Sequence, residues 1–189
     1  KYLEGWRRYD KVTELWNPKR KQKIEKLRPT CSNLDQAMDF YHSIAVTVES
    51  QPSIKDIDFL KFDMTHVAHG IAKQAEIWKT DYGEVLLTTS REKYNTLVKT
   101  ITEYEEYVAM STDDLDTLKF VLNAIGKLQA LMQDVELEMV DITERYGTLQ
   151  RYEINCNDGE LDAALSIETR WRKLYVDSRT RDLRLIDTK

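Results

Sequence analysis

Two of the three histidines, His66 and His69, stand three residues apart, and Asp63 comes one turn earlier. On a helix this spacing puts all three side chains on one face, the first requirement of a zinc or iron site. Such a site needs three or four ligands with supporting partners, and no cysteine, Glu-x-x-His or His-Glu-x-x-His pattern completes this one. The pair therefore reads as surface histidines. Asn155, Asn157, Asp158 and Gly159 have the composition of a calcium loop. Its glycine comes one position early, however, and Ser166 occupies the place of the bidentate glutamate. Gly126-Lys127 is followed by Leu128 and has no glycine five residues before it, so it does not form a phosphate cradle. No serine, histidine and aspartate set lies in the glycine-rich strand-to-helix context of a nucleophile elbow. Glu105–Glu106 and Asp113–Asp114 are sequence neighbours, which point apart on a helix and make no acid/base dyad. No catalytic, cofactor-binding or metal-ligating residue is assigned, and no cofactor is expected in this chain. Cys31 and Cys156, unrelated by any ligand or redox spacing, read as two reduced thiols.

The elements that would hold such residues are helices. With six glycines, three prolines and 32% charged residues in 189, the composition favours long helices over sheets. No run of eighteen apolar residues occurs, so no membrane span is expected. The net charge of −5 is unevenly spread: residues 1–28 carry ten basic and four acidic side chains, and 168–189 seven and four. The middle is strongly acidic, which argues against nucleic acid as a partner. The basic run Lys19, Arg20, Lys21, Lys23, Lys26 and Arg28 reads as a solvated helix face, with an acidic or phosphate surface as the other reading. The chain opens at Lys1 without a basic-then-apolar leader and stops at Lys189 inside a helical pattern. Both ends therefore read as cuts in a longer polypeptide.

The organising stretch is Thr112 to Tyr152. Leu118, Val121, Ile125, Leu128, Met132, Val135, Met139, Ile142, Tyr146 and Leu149 succeed one another at spacings of three and four. This predicts one long helix, about 60 Å for forty residues, with a single apolar seam widened by Leu115 and Leu122. Ser111, Thr112, Asp113 and Asp114 supply its cap and acidic first turn. Tyr2 to Trp16 predicts an amphipathic helix with Leu3, Trp6, Tyr9, Val12 or Thr13, and Trp16 on its stripe, and then a break near Asn17. A second helical piece through Leu27 is stopped at Pro29. Ser32 or Asn33 then caps a helix carrying Leu34, Met38, Tyr41, Ala45 and Val48, which ends near Pro52. Ile54 to Phe62 reads as a short extended connection.

A second very long, bent helix is expected from Asp63 or Thr65 towards Met110, with Val67, Ile71, Trp78, Tyr82, Leu86, Tyr94, Leu97, Ile101, Tyr104 and Val108. Gly70 and Gly83 inside it mark a bend or a close helix approach. Asn155 to Gly159 is a turn, and Asn157 or Asp158 caps the last helix. Leu161, Leu165, Glu168, Trp171, Tyr175 and Ser178 are the expected seam of that helix. Leu174 flanks the seam, and Leu183 and Leu185 continue it. The fold class is all-α: an elongated antiparallel bundle of long helices with roughly +20° crossings. Residues 1–53 are read as an N-terminal helical segment ending a preceding bundle, 54–62 as a connector and 63–189 as a long three-helix bundle.

The run DLDTLKFVLNAIGKLQALMQDVELEMVDITERYGTLQRY from Asp114, with GELDAALSIETRWRKLYVDS after it, resembles the stem of dynein heavy chains, particularly the axonemal ones. Leu118, Val121, Leu122, Ile125, Glu136, Glu144, Arg145, Tyr146, Leu149, Trp171 and Leu174 fall on that pattern. Leu60 to Leu97, with Trp78 and Tyr82, and the opening Trp6, Tyr9, Leu15 and Trp16 are similar to it as well.

The resemblance implies a non-catalytic segment of the force-transmitting stem, part of a chain of helical bundles. ATP and magnesium, hydrolysis and microtubule binding would belong to other parts of the heavy chain. Partners implied are neighbouring segments of the same heavy chain and other dynein heavy, intermediate or light chains or docking proteins. The implied place is the cytoskeleton of the cilium axoneme, with the cytoplasm as alternative. A spectrin-repeat-like scaffold is the rival reading, but its pattern should return after about 100 residues and these 189 do not repeat. An enzymatic bundle would need inward-facing ligands on the central seam, which carries none. Ile142→Asp should place a carboxylate in the seam and cost more than about 3 kcal/mol, abolishing cooperative melting of the helical circular-dichroism signal. Unchanged melting would refute the seam.

Overall fold

A computed structural model of the chain describes residues 2–19, 22–24, 30–157 and 159–186. The short helix α1 (Tyr2–Arg7) leads to a 3-10 turn (Thr13–Trp16), α2 (Cys31–Ser50) and the strands β1 (Ile54–Ile57) and β2 (Leu60–Asp63). Three long helices complete the chain: α3 (Thr65–Ala109), α4 (Leu115–Arg151) and α5 (Glu160–Ile186). The fold is an all-α bundle with one small β-hairpin. By internal packing it divides into two compact units. The first takes the chain up to Leu87 together with Thr148–Ile154, and the second takes Thr88–Gly147 and the chain from Asn155 onward.

In the first unit the opening stripe does not form one helix. After Arg7 the chain turns and tightens into the 3-10 segment, which buries Leu15 and leaves Trp16 half exposed at 51%. The reason is a buried donor: the Trp78 indole N–H donates to the Leu15 carbonyl at 2.9 Å, and a continuous helix would have used that carbonyl itself. Trp78 lies flat on Tyr41, with ring centroids 5.2 Å apart and planes 5° apart, and Tyr82 extends the stack. Trp6, Tyr9, Ile24, Ile44, Val48 and Ile71 close the same core. Residues 22–24 are helical, whereas the expected piece through Leu27, its stop at Pro29 and Asp158 as a cap lie outside the described residues.

Helix α2 buries Leu34, Met38, Tyr41, Ala45 and Val48 as the spacing predicts. Its cap is Thr30, whose hydroxyl accepts the Asn33 N–H at 3.3 Å, and not Ser32 or Asn33. The extended connection is a paired hairpin, Ile54 opposite Asp63 and Ile57 opposite Leu60, with Asp58 at φ 54° in its turn. Tyr2 holds its base, donating to the carbonyls of Pro52 and Ser53 at 3.0 Å each and packing on Phe62.

Helix α3 runs through both glycines without a break. Gly83 is the close approach: a Cβ there would stand 2.4 Å from Cδ1 of Ile154 and 2.6 Å from its Cγ1. Ile154 is delivered by the end of α4, where Glu153 takes φ 54° and the amides of Glu153 and Ile154 return to the carbonyls of Gln150 and Leu149. This is the double return of a Schellman turn, made here with glutamate where glycine is usual. Gly70 meets no neighbour within 4 Å.

In the second unit the α4 seam is realised from Leu118 to Tyr146, with every member buried or half-buried. Asp114 caps the helix, accepting the Thr117 N–H at 2.6 Å. Leu115 does not widen the seam. It is 65% exposed in the first turn, and Val67 of α3 in the first unit is also exposed. Helix α5 is rotated from the expected register: Leu165, Glu168 and Leu183 face solvent, while Ala164, Ile167, Trp171, Leu174, Ser178 and Leu185 are buried. Burying Glu168 would strand a carboxylate in the core, and Ile167 removes that cost.

Gly83→Ala tests the close approach. Overpacking against Ile154 should outweigh alanine's helix preference and lower stability by about 1–2 kcal/mol, read as a lower melting temperature. Adding Ile154→Ala should make the glycine substitution harmless.

Candidate functional site

The residues first considered for chemistry are not assembled into a site. His66 and His69 are exposed on α3, and the Asp63 carboxylate accepts the Thr65 N–H at 3.0 Å, hydrogen bonds from Thr65 holding it below its ordinary range. Among the described residues no group of three or more His, Cys, Asp or Glu is placed to hold a metal. Gly126 and Lys127 are exposed inside α4. Cys31 is buried, its sulfur 4.0 Å from the Thr148 hydroxyl, and burial pushes the half-buried Cys156 thiol up. The Asn155–Gly159 turn works as a helix cap, the Asn157 N–H reaching the Glu160 carboxylate at 3.2 Å.

What the second unit does assemble is a set of charged ties between helices. Arg91 of α3 grips Glu160 of α5 with two parallel bonds, Nε to Oε1 at 2.7 Å and Nη2 to Oε2 at 2.9 Å. The Tyr146 hydroxyl of α4 donates to the same carboxylate at 3.0 Å. One carboxylate therefore collects bonds from α3, α4 and the turn that starts α5. Arg91, with Tyr146 and the Asn157 amide, outweighs burial and draws the Glu160 carboxyl down to about 2. Burial, then Glu160, pushes the Tyr146 phenol up.

Further along, Arg170 of α5 grips Glu105 of α3 at 2.9 and 2.5 Å and bonds the Thr102 hydroxyl at 2.8 Å. Arg170 holds the Glu105 carboxyl below its ordinary range. Beyond it, Arg181 donates to the carbonyls of Val108 and Met110, where α3 ends and cations are favoured. Helices α3 and α4 are joined through Asp141, which accepts from Lys93 at 2.6 Å and from Arg145 at 2.9 Å, and Arg145 also donates to the Thr89 hydroxyl at 3.3 Å. Burial raises the Asp141 pKa, but these two cations pull it lower overall. Arg145 is 7% exposed, and the Asp141 carboxylate supplies the partner that a buried guanidinium requires.

The ties between helices leave no local signal in the sequence. Glu160 reads there as a first-turn acid and Arg145 as one position of a family pattern; Asp141 stands four residues before Arg145, but the ion pairs that join α3 to α4 and α5 link residues 48 to 69 apart.

No protein-family model matches the chain. It is similar to human dynein axonemal heavy chain 10, 29% identical over 178 residues that cover 94% of this chain. It is also similar to the dynein-1-alpha heavy chain of the flagellar inner arm I1 complex of Chlamydomonas reinhardtii, 24% identical over 197 residues and all of this chain. Mouse dynein axonemal heavy chain 2 is 21% identical over 180 residues. The chain spans 4% of the length of each of these relatives.

The depressed carboxylates set a pH dependence. Their charged forms stabilise the fold above the unfolded carboxylate range of about 4, and this contribution is lost as pH falls through the folded values. The melting temperature should therefore hold steady from neutral pH down to about pH 5 and decline from there to about pH 2. Glu160→Gln should lower it at neutral pH and flatten the decline. An equally steep decline in that variant would refute the tie.

Proposed function

The chain is a segment of a dynein heavy chain, and from that premise we propose that it is a non-catalytic part of the stem, carrying load and offering assembly surface. The observation that supports this reading is the row of arginine ties between α3 and α5: Arg91 to Glu160, Arg170 to Glu105, and Arg181 to the end of α3. From Arg91 to Val108 they are spread over roughly 25 Å of helix at 1.5 Å per residue. Apolar ridges set helix spacing but resist sliding weakly, because one greasy register resembles the next. A two-bonded guanidinium–carboxylate pair matches a single register. Partly exposed pairs of this kind add only about 0–1 kcal/mol each to stability, so resistance to shear is their larger effect.

In the parent chain, hydrolysis of ATP with magnesium and the microtubule contact belong to other segments, and this one links them to neighbouring stem segments. Other dynein heavy, intermediate or light chains or docking proteins are its assembly partners, in the cytoskeleton of the ciliary axoneme. The motility it serves is ciliary. Replacing Arg91, Arg170 and Arg181 together by alanine in the parent heavy chain should leave ATP hydrolysis per motor unchanged. The load at which single motors stall on a microtubule should fall. Lost hydrolysis with intact folding, or an unchanged stall load, would overturn the reading.

A further inference from the structure

The hairpin of the first unit leaves large apolar side chains in water on one of its faces. Residues paired across two strands share a face, and successive residues of a strand alternate between faces. Lys55 with Phe62 and Ile57 with Leu60 therefore lie on one side, Ile54 with Asp63 and Asp56 with Lys61 on the other. On the first side Ile57 is 37% exposed and Leu60 52%, and Phe59 in the turn beside them is 92% exposed. A two-stranded hairpin is marginal in water by itself, and three uncovered apolar side chains at its tip mark a contact surface. The base of the same face is already covered. The Tyr2 ring packs on Phe62 with centroids 6.3 Å apart, and Lys55 Nζ stands 5.4 Å from the Tyr2 centroid.

The course of α1 indicates what covers the tip. A Cβ on Gly5 would stand 3.1 Å from Nε2 of Gln51, ahead of the hairpin. Tyr2, three residues earlier, donates to the carbonyls of Pro52 and Ser53 and covers Lys55 and Phe62. Followed backwards from Gly5 to Tyr2, the helix thus advances along the hairpin from base towards tip. Ile57 and Leu60 lie two residues further out than Lys55 and Phe62, about 7 Å at the rise of a strand. One to two further helical turns, about 5.4 Å each, span that distance. The charges of the hairpin select no partner of either sign, since Lys55 and Lys61 stand among Asp56, Asp58 and Asp63. A helix tethered at Tyr2 needs no such attraction, because a short linkage holds it at an effective concentration on the order of millimolar.

We propose that the heavy-chain residues immediately before Lys1 continue α1 as a helix across this hairpin face. Its apolar side chains, the first of them three or four residues before Tyr2, sit on Ile57, Leu60 and Phe59. The hairpin is then the joint between this segment and the one before it. The inference rests on the chain being a segment of a heavy chain, and it does not require that the segment carry load.

The test uses the parent heavy chain with the photo-reactive substitution Phe59→benzoylphenylalanine, and cross-linked peptides are mapped by mass spectrometry. The dominant cross-link should fall within about twelve residues before Lys1, the stretch that two to three helical turns can bring over the tip. The same probe in place of Ile54, on the opposite face, should not reach that stretch. Cross-links from position 59 to another dynein chain, to a second copy of the heavy chain or to a distant part of the same chain overturn the proposal, as does the absence of any cross-link. Hydrogen exchange keeps the test decisive if the probe disturbs the hairpin. Leu60→Asp should speed amide exchange in the stretch before Lys1 by about tenfold or more, with the amides of α2 as the control for folding of the first unit. Unchanged exchange there overturns the proposal. Neither readout involves ATP hydrolysis or stall load, so this inference and the load-bearing reading fail separately.

Discussion

The carboxylate of Glu160 is the point from which the second unit takes its register. It stands at the first turn of α5 and is held by a guanidinium from α3, a phenol from α4 and an amide of its own turn. Once that residue is fixed, counting four and three along α5 leads to Ala164, Ile167, Trp171, Leu174, Ser178, Arg181 and Leu185. The apolar members and Ser178 are the buried stripe, and Arg181 reaches the end of α3. A charged group thus sets the phase of a hydrophobic helix. The ties further along α5 are a consequence of the same count. The small side chains Ala164 and Ser178, almost without exposure, are what a close approach of helices requires.

The first unit depends on a different constraint, one buried indole N–H. Trp78 needs an acceptor, and the Leu15 carbonyl is available only because the chain there is a tight 3-10 turn. The aromatic stack on Tyr41 and Tyr82 then fills the space beside it. This also explains why the spacing of Trp6, Tyr9 and Trp16 misleads. Trp6 and Tyr9 are buried, but after the turn the chain presents Leu15 inward and Trp16 outward.

How far the fold is legible in the sequence depends on whether a signal is local. The α4 seam can be read residue by residue, because ten apolar side chains at heptad spacing admit one helix and one face. Its start is equally plain from Asp114 and its neighbours, since cap chemistry acts within three residues. Helix α5 also carries Leu165, Val176 and Leu183 outside its buried stripe, and the face that turns inward is fixed together with the tie of Glu160 to Arg91, 69 residues apart. Ile54 to Phe62 is legible as extended backbone, but the pairing of Ile54 with Asp63 is a tertiary fact. Gly83 announces a close approach without naming Ile154, because glycine records only that space is needed. The family pattern reaches further than periodicity does. It picks out Arg145, Tyr146 and Trp171, which the structure shows to be buried, the first two in ties.

The electrostatics of the chain carry one direction throughout. Acid and base catalysis is served by groups poised near neutral pH, where a proton is neither held nor released too firmly. Among the described residues every resolved shift runs the other way. Glu160, Glu105 and Asp141 are lowered, first by hydrogen bonds for the two glutamates and against burial for Asp141, while Arg91 and Arg170 are raised by the carboxylates they grip. Burial raises the phenols of Tyr41, Tyr82, Tyr104 and Tyr146 as well as the thiol of Cys156. Each group is moved away from neutrality and locked in the form it already has there. Charges fixed in this way do not exchange protons with modest changes of pH, so the helix register they set is constant across the neutral range.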